Sequence, residues 1–266
     1  MITSSANKLV KNIRKLQNKK YRDESKLFLV EGQRHVIQGI QENARIEQII
    51  ICTALLKSDA AIKILQTASN EGIKIIEVDE KVFRTMASKE GPQGIAAVFH
   101  QNWISFSEIS DGIWVGLDQV QDPGNLGSIL RTLDAIGGKG ILLIGNCTDP
   151  FHLTSVRASM GAIFTQKIIR TTQSEFIEWA SGGRFTIVGT SCEDGKDYQS
   201  LSYHDSTILL MGSEQKGLNE KLISVCDQHI HIPMNGKVDS LNLSNATSII
   251  LYEIYNQLRK KIKVYR

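Results

Sequence analysis

Little in this chain advertises a ready-made chemistry. Its four cysteines, Cys52, Cys147, Cys192 and Cys226, are spread through 266 residues and form no C-x-x-C pair. That spacing argues against a zinc site or a disulfide framework and fits a reducing compartment. No apolar run approaches the roughly 20 residues needed to cross a bilayer, and the first residues lack the apolar core of a secretory signal. The expectation is a soluble, cytoplasmic protein. A G-x-x-x-x-G-K-[ST] phosphate loop, a G-x-G-x-x-G fingerprint and a G-x-S-x-G elbow are all missing, and Gly137–Gly138–Lys139–Gly140 has the wrong spacing for any of them. These absences weigh against a nucleotide-dependent oxidoreductase on a plain Rossmann sheet and against serine hydrolase chemistry. His229 and His231 share one face of a predicted strand, but no third ligand stands near them, so no metal is expected.

What is present is ample for real cores: 41% of the residues are hydrophobic and 22% charged, over a length comfortable for two domains. The net charge of +3 permits a nucleic-acid partner without requiring one. Its distribution is more telling. Lys8, Lys11, Arg14, Lys15, Lys19, Lys20 and Arg22 follow one another with no acid between Lys8 and Arg22. Leu9, Ile13 and Leu16 recur at helical spacing, which predicts an amphipathic helix with a cationic outer face. A solvated surface helix would look the same, but seven unopposed cations repel one another without an anion, and phosphate contact is the better account.

Strand and helix patterns alternate along the chain. Lys26–Val30, Ile46–Cys52, Ile73–Val78 and Ile95–Phe99 read as strands, with helices over Gln33–Gln41, Ser58–Asn70 and Lys81–Ser88. This predicts a small α/β domain over residues 1–100 with a largely parallel sheet. Residues 101–112 break the rhythm as a linker. A second α/β domain follows over 113–266, with strands Ile113–Leu117, Gly140–Ile144, Gln166–Ile169, Phe185–Gly189, Thr207–Met211 and His229–Ile232. Its helices would be Leu126–Ile136, His152–Ala158, Ser174–Ala180, Asn219–Val225 and Leu243–Ile262. In the last, Leu243, Ile250, Ile254 and Leu258 form a stripe that suits either the core or a subunit contact.

Three strand ends carry the polar residues. After Ile113–Leu117 the chain turns at Pro123–Gly124, Asn125 stands where a helix begins, and Arg131 follows beside Leu130 and Leu133. An arginine there keeps its charge and offers fixed donors, though an ion pair would explain it equally. After Thr207–Met211 comes Gly212–Ser213–Glu214–Gln215–Lys216–Gly217, where glycine lets backbone approach a ligand. After the final strand, Ser240, Asn242, Ser244 and Asn245 crowd four short hydrogen-bonding side chains into a helix start. A helix cap accounts for that cluster as well as a site does. Ligands in open α/β sheets bind outside the carboxyl ends of strands, so three such ends in one domain imply one shared pocket.

Together these segments resemble the motifs of the SpoU (TrmH) family of RNA ribose 2′-O-methyltransferases, in the SPOUT superfamily. The resemblance lies in Asn125 with Arg131, in Met211–Gly212–Ser213–Glu214 with Gly217–Leu218, and in Ile232–Pro233–Met234 with Ser240–Leu241–Asn242–Leu243–Ser244. Val156–Arg157–Ala158–Ser159–Met160–Gly161–Ala162 also looks like the family, and Ser128 stands where alanine is commoner. The first hundred residues resemble the ribosomal-protein-like, RNA-binding domain that many members carry.

The resemblance implies a C-terminal α/β domain threaded into a trefoil knot, beside the smaller N-terminal α/β domain. It implies S-adenosylmethionine as cofactor, held by main-chain groups of Gly212, Ile232 and Leu241 with Met211 and Met234 beside them. Arg131 would activate the ribose hydroxyl and Asn125 would fix loop and substrate. Ser240 and Asn242 would orient cofactor or ribose, and Glu214 would pair with Arg131 or bind backbone amides. It implies a homodimer acting on structured RNA, ribosomal RNA ahead of transfer RNA, and the charge run makes Lys8, Lys11, Arg14, Lys15, Lys19, Lys20 and Arg22 the candidate RNA-binding cations. A non-catalytic RNA-binding protein on the same fold is the alternative. On this division of labour, removing residues 1–100 would leave cofactor affinity nearly unchanged.

Overall fold

The computed structural model describes residues 1–57, 59–87, 91–191 and 195–264; Ser58, Ser88 and Cys192 lie outside the described residues. The chain divides into two compact units, Met1–Gln101 with Phe151–Phe164, and Asn102–Pro150 with Thr165–Arg266.

In the first unit the elements run α1 (Lys8–Lys15), α2 (Lys19–Ser25), β1 (Leu27–Glu31), α3 (Gln33–Gln41), β2 (Ile46–Ile51), α4 (Asp59–Asn70), β3 (Ile75–Glu77), α5 (Glu80–Met86) and β4 (Ile95–His100). The sheet order is β1-β4-β2-β3. It is not the largely parallel sheet predicted: β4 runs antiparallel to both β1 and β2, and only β2 and β3 are parallel. The last strand inserts between the first two. Its first five residues are buried, as befits a central strand covered on both faces.

The basic segment also departs from expectation, forming two helices rather than one. Asn7 caps α1 by accepting the Leu9 N–H at 2.9 Å, and Asn18 caps α2 by accepting the Lys20 N–H at 2.9 Å. Val10, Ile13 and Leu16 join Val82, Phe83 and Met86 in the core. Lys8, Lys11, Arg14, Lys15, Lys19 and Lys20 face solvent. Arg22 does not: it is 2% exposed, and its Nη1 donates to the Leu16 carbonyl at 2.7 Å. It seals the joint between α1 and α2 and so leaves the RNA-binding set. Lys19 is partly neutralised by Asp23 at 2.6 Å.

The second unit contains β5 (Ile113–Asp118), α6 (Pro123–Ala135), β6 (Gly140–Ile144), then α7 (Leu153–Ala158), which packs with the first unit, and β7 (Lys167–Thr171). There follow α8 (Gln173–Ala180), β8 (Thr186–Thr190), β9 (Lys196–Asp197), β10 (Thr207–Met211), α9 (Glu220–Ile223), β11 (Gln228–His231) and α10 (Leu243–Val264). The strands are ordered β7-β6-β5-β10-β8-β11-β9, all parallel. Strands β5, β6 and β10 are buried along their whole lengths, which is why they read as unbroken apolar runs. The chain lays β6 and β7 on one side of β5, and β10 and β8 on the other. The crevice at the carboxyl ends of β5 and β10 is thus a topological switch point. Most of the stripe on α10 lies in this unit's interior: Leu243, Ile250 and Ile254 are buried and Leu258 is half-buried, while Ile249 and Tyr252 of the same helix are exposed.

The segment Phe151–Phe164 follows β6 in sequence, yet its packing is with the first unit. The Phe151 ring lies 4.8 Å from that of Phe28, and the Phe164 ring 4.8 Å from that of Phe99. Arg157 Nη2 donates to Glu31 Oε2 at 2.7 Å. Gly161 has φ +98°, a backbone conformation that any residue with a Cβ adopts only under strain.

Candidate active site

The helix α6 starts where β5 ends. Asp122 caps it, accepting the Asn125 N–H at 2.7 Å, and Pro123 occupies its first turn, where no donor is lost. Asn125 is thereby held with its side chain toward two distant loops. Its Nδ2 donates to Glu214 Oε1 at 3.1 Å, and its Oδ1 accepts the Asn242 Nδ2 at 3.0 Å. A carboxamide suits this position because it donates at one end and accepts at the other. Asn242 Oδ1 in turn accepts the Ser244 N–H at 3.0 Å and the Ser244 hydroxyl at 2.7 Å. The polar cluster before α10 is therefore a helix cap and a bridge to Asn125 together.

The loop after β10 is drawn tight by two backbone hydrogen bonds between Ser213 and Gly217, each 3.1 Å, and by the Lys216 N–H on Ser213 Oγ at 3.2 Å. A Cβ at Gly212 would lie 2.0 Å from the Gly217 carbonyl carbon. The backbone approach that the glycine permits is thus made, at least in part, by the chain itself. Glu214 is engaged with Asn125; among the described residues it makes no pair with Arg131, the first of the two roles its sequence suggested.

Arg131 stands exposed on α6, while Leu130 and Leu133 beside it are fully buried. Among the described residues it has no ion pair and no hydrogen bond, so the structural explanation for this arginine finds no partner. Ser240 is also exposed, as is every residue from 233 to 242. Met234 and Leu241 are 36% and 37% exposed there, and Met211 is buried at the end of β10. Ile232 is half-buried. Apolar side chains left uncovered in the segment between β11 and α10 suit the flat face of a ligand.

One residue escaped the sequence reading. Asp118, at the end of β5, is 2% exposed and accepts Gln173 Nε2 on one oxygen and the Asn219 N–H on the other, each at 3.1 Å. It ties the start of α8 and the cap of α9 to the strand. An acid closing an otherwise apolar strand was the available signal. Among the described residues no group of three His, Cys, Asp or Glu side chains is placed to hold a metal ion.

Residues 112–252 match the SpoU rRNA Methylase family, and residues 7–97 match the MRM3-like substrate binding domain. The chain is 29% identical over 253 residues to a 23S rRNA (guanosine(2553)-2'-O)-methyltransferase of Bacillus subtilis (strain 168), covering 95% of this chain and 98% of that one. It is 30% identical over 256 residues to a 23S rRNA (uridine(2479)-2'-O)-methyltransferase of Streptomyces viridochromogenes, covering 91% and 87%. An AdoMet-bound rRNA methyltransferase from Sinorhizobium meliloti superposes with a TM-score of 0.89 at 36% identity, over 97% of both chains.

Proposed function

Because this chain belongs to the SpoU rRNA methylase family, we propose that it transfers a methyl group from S-adenosylmethionine to a ribose 2′-hydroxyl of ribosomal RNA. The observation that carries the reading is the bonded set Glu214–Asn125–Asn242 at the carboxyl ends of neighbouring parallel strands, with Arg131, unpaired among the described residues, six positions beyond Asn125 on α6. A pseudoenzyme has no chemical reason to keep that set together.

The residues present fit the cofactor: half-exposed Met234 and Leu241 offer apolar surface, and Ser240 offers a neutral hydroxyl. Backbone of Gly212, Ile232 and Leu241 would hold it. When bound, it supplies an electrophilic methyl group. The chain supplies alignment and charge. Asn125 and Asn242 fix the loops after β5 and before α10 in one geometry, so that the acceptor oxygen meets a preset site. Arg131 stabilises negative charge growing on the ribose oxygen; its guanidinium stays protonated and acts as an electrostatic partner rather than a base. Glu214 acts through Asn125.

Substrate capture belongs to the first unit, where Lys and Arg outnumber Asp and Glu; in the second unit acids outnumber cations. Lys8, Lys11, Arg14, Lys15, Lys19 and Lys20 meet RNA phosphates. Ribosomal RNA is favoured because the two relatives named for it align with nearly the whole chain. Those relatives modify different nucleotides, so the target base is not carried over with the family. The protein works in the cytoplasm as a homodimer, with exposed Ile249 and Tyr252 of α10 facing the second copy, and its second unit holds the trefoil knot.

The test is methyl transfer from radiolabelled S-adenosylmethionine to total RNA from a strain lacking this gene, with Arg131→Ala in parallel. Label recovered as a 2′-O-methyl nucleotide in ribosomal RNA, and lost in the variant, is the expected result. Label in transfer RNA would move the substrate. No label in any RNA despite cofactor binding would refute the activity.

A further inference from the structure

Apart from the Asn125 cluster, the second unit carries a cleft of about 650 Å³ at the carboxyl ends of β5, β6 and β7. Each strand delivers residues to it: Gln119 after β5, Gly145 and Asn146 after β6, Thr172 and Gln173 after β7. Ile177 and Glu178 of α8 and Lys221 of α9 complete the wall.

The rim is preset by bonds within the chain. Gln121 Nε2 donates to two carbonyls at once, Gln119 at 2.7 Å and Asn146 at 2.6 Å, and so clamps the β5 and β6 loops together. Asp118 holds Gln173 from below. Thr172 and Glu175 close a capping box, in which the Thr172 N–H donates to Glu175 Oε2 at 2.8 Å and the Glu175 N–H donates to Thr172 Oγ1 at 3.2 Å. Gln119 itself sits at φ +53°, a left-handed conformation unfavourable for this residue type. Among the described residues, the side-chain amides of Gln119 and Asn146 and the Lys221 ammonium make no hydrogen bond or ion pair.

The chemistry of this lining selects a ligand class. The lining holds one cation, Lys221, and one carboxylate, Glu178, so the cleft is neutral overall and poorly suited to a bare polyanion. Carboxamides donate and accept side by side, which is the pattern that reads the edge of an unstacked base. Ile177 offers apolar surface to its face, and Lys221 suits its phosphate. The loop that begins at Gln119 ends at Asp122, the cap of α6, within the same first turn as Asn125. We propose that this cleft receives an unstacked base of the RNA next to the nucleotide being methylated. The assignment rests on the methyltransferase reading above.

Gln119→Gly, Asn146→Ala and Lys221→Ala test it. The glycine variant deletes the amide while relieving the positive φ, so its effect is not one of strain. Each variant is expected to raise KM for the methylated RNA about fivefold, the scale of one lost hydrogen bond, and to leave the Kd for S-adenosylmethionine within about twofold. Lys221→Ala should also lower the salt slope of RNA binding by about one. Binding of fluorescein-labelled single-stranded RNA dodecamers, read by anisotropy, should weaken in parallel and needs no turnover. Unchanged KM and unchanged dodecamer affinity in all three variants overturn the cleft as a base site, even with wild-type methylation intact. Failure of the wild type to methylate any RNA would instead strike the reading beneath it, and the dodecamer arm would still decide the cleft.

Discussion

Asn242 donates its side-chain amide to the Asn125 oxygen at 3.0 Å, across 117 positions of sequence. The other end of the same amide caps α10 through Ser244. Helix stability and site alignment thus hang on opposite ends of one carboxamide, and a substitution can part them.

Asn242→Ser keeps a capping oxygen and is too short to reach Asn125. Its urea midpoint should correspond to a loss of no more than ~0.5 kcal/mol, with methyl transfer down about tenfold or more. Asn242→Ala should lose both, with about 1 kcal/mol of stability from the cap. A serine variant with full activity would show that the bridge to Asn125 has no part in the reaction.

Arg131 has no partner among the described residues, so its removal should be silent in stability, within about 0.5 kcal/mol. Methyl transfer by Arg131→Ala should fall roughly 100-fold, the scale of one lost stabilising donor. Arg131→Lys should recover only part, because the fork is gone while the charge stays. Thermal unfolding and single-turnover transfer on the same preparations check both halves.

Arg22 and its neighbours Lys11 and Arg14 should separate cleanly. Arg22→Ala leaves the Leu16 carbonyl without its buried donor and should cost about 1–3 kcal/mol. Lys11→Ala with Arg14→Ala should leave stability alone and flatten the salt dependence of RNA binding by about two. Denaturant titration and filter binding over a salt series distinguish them. A folded, RNA-deficient Arg22 variant would reverse the assignment.

Burial pushes the Cys147 thiol up to about 11 and the Cys226 thiol up to about 12, against an ordinary value of 9.0. Above pH 9 the unfolded chain sheds thiol protons that the folded chain retains, so stability should fall as pH rises from 9 toward 11. Urea midpoints at pH 8 and pH 10, compared with a Cys147→Ser, Cys226→Ala double variant, isolate this component. A midpoint difference as large in the variant as in the parent would contradict it.

In the second unit β5, β6 and β10 were legible because they are buried on both faces and leave unbroken apolar runs, whereas the two-residue edge strand β9 leaves no run to read. Asn125, Glu214 and Asn242, which the structure joins by hydrogen bonds, stood out in the sequence as polar side chains after strand ends. Their pairing did not: nothing local says that Asn125 takes Glu214 on one end and Asn242 on the other. Arg22 was misread because the break at Asn18 turns it inward, and periodicity assumed one continuous helix. The antiparallel insertion of β4 was equally hidden, since a central strand reads the same in either direction.

The segment from Phe151 to Phe164 sets an order of events. Phe28 and Phe99 receive the rings of Phe151 and Phe164 only after the chain has been made well past β6. During synthesis the first unit therefore waits, with aromatic surface uncovered, for a piece made some fifty residues after its last strand. A fragment ending at Gln101 stays in that unfinished state, and one beginning at Asn102 carries the missing piece with nothing to cover it. Neither half is a self-sufficient module. A chimera that exchanges RNA-binding units must move two separate stretches of sequence.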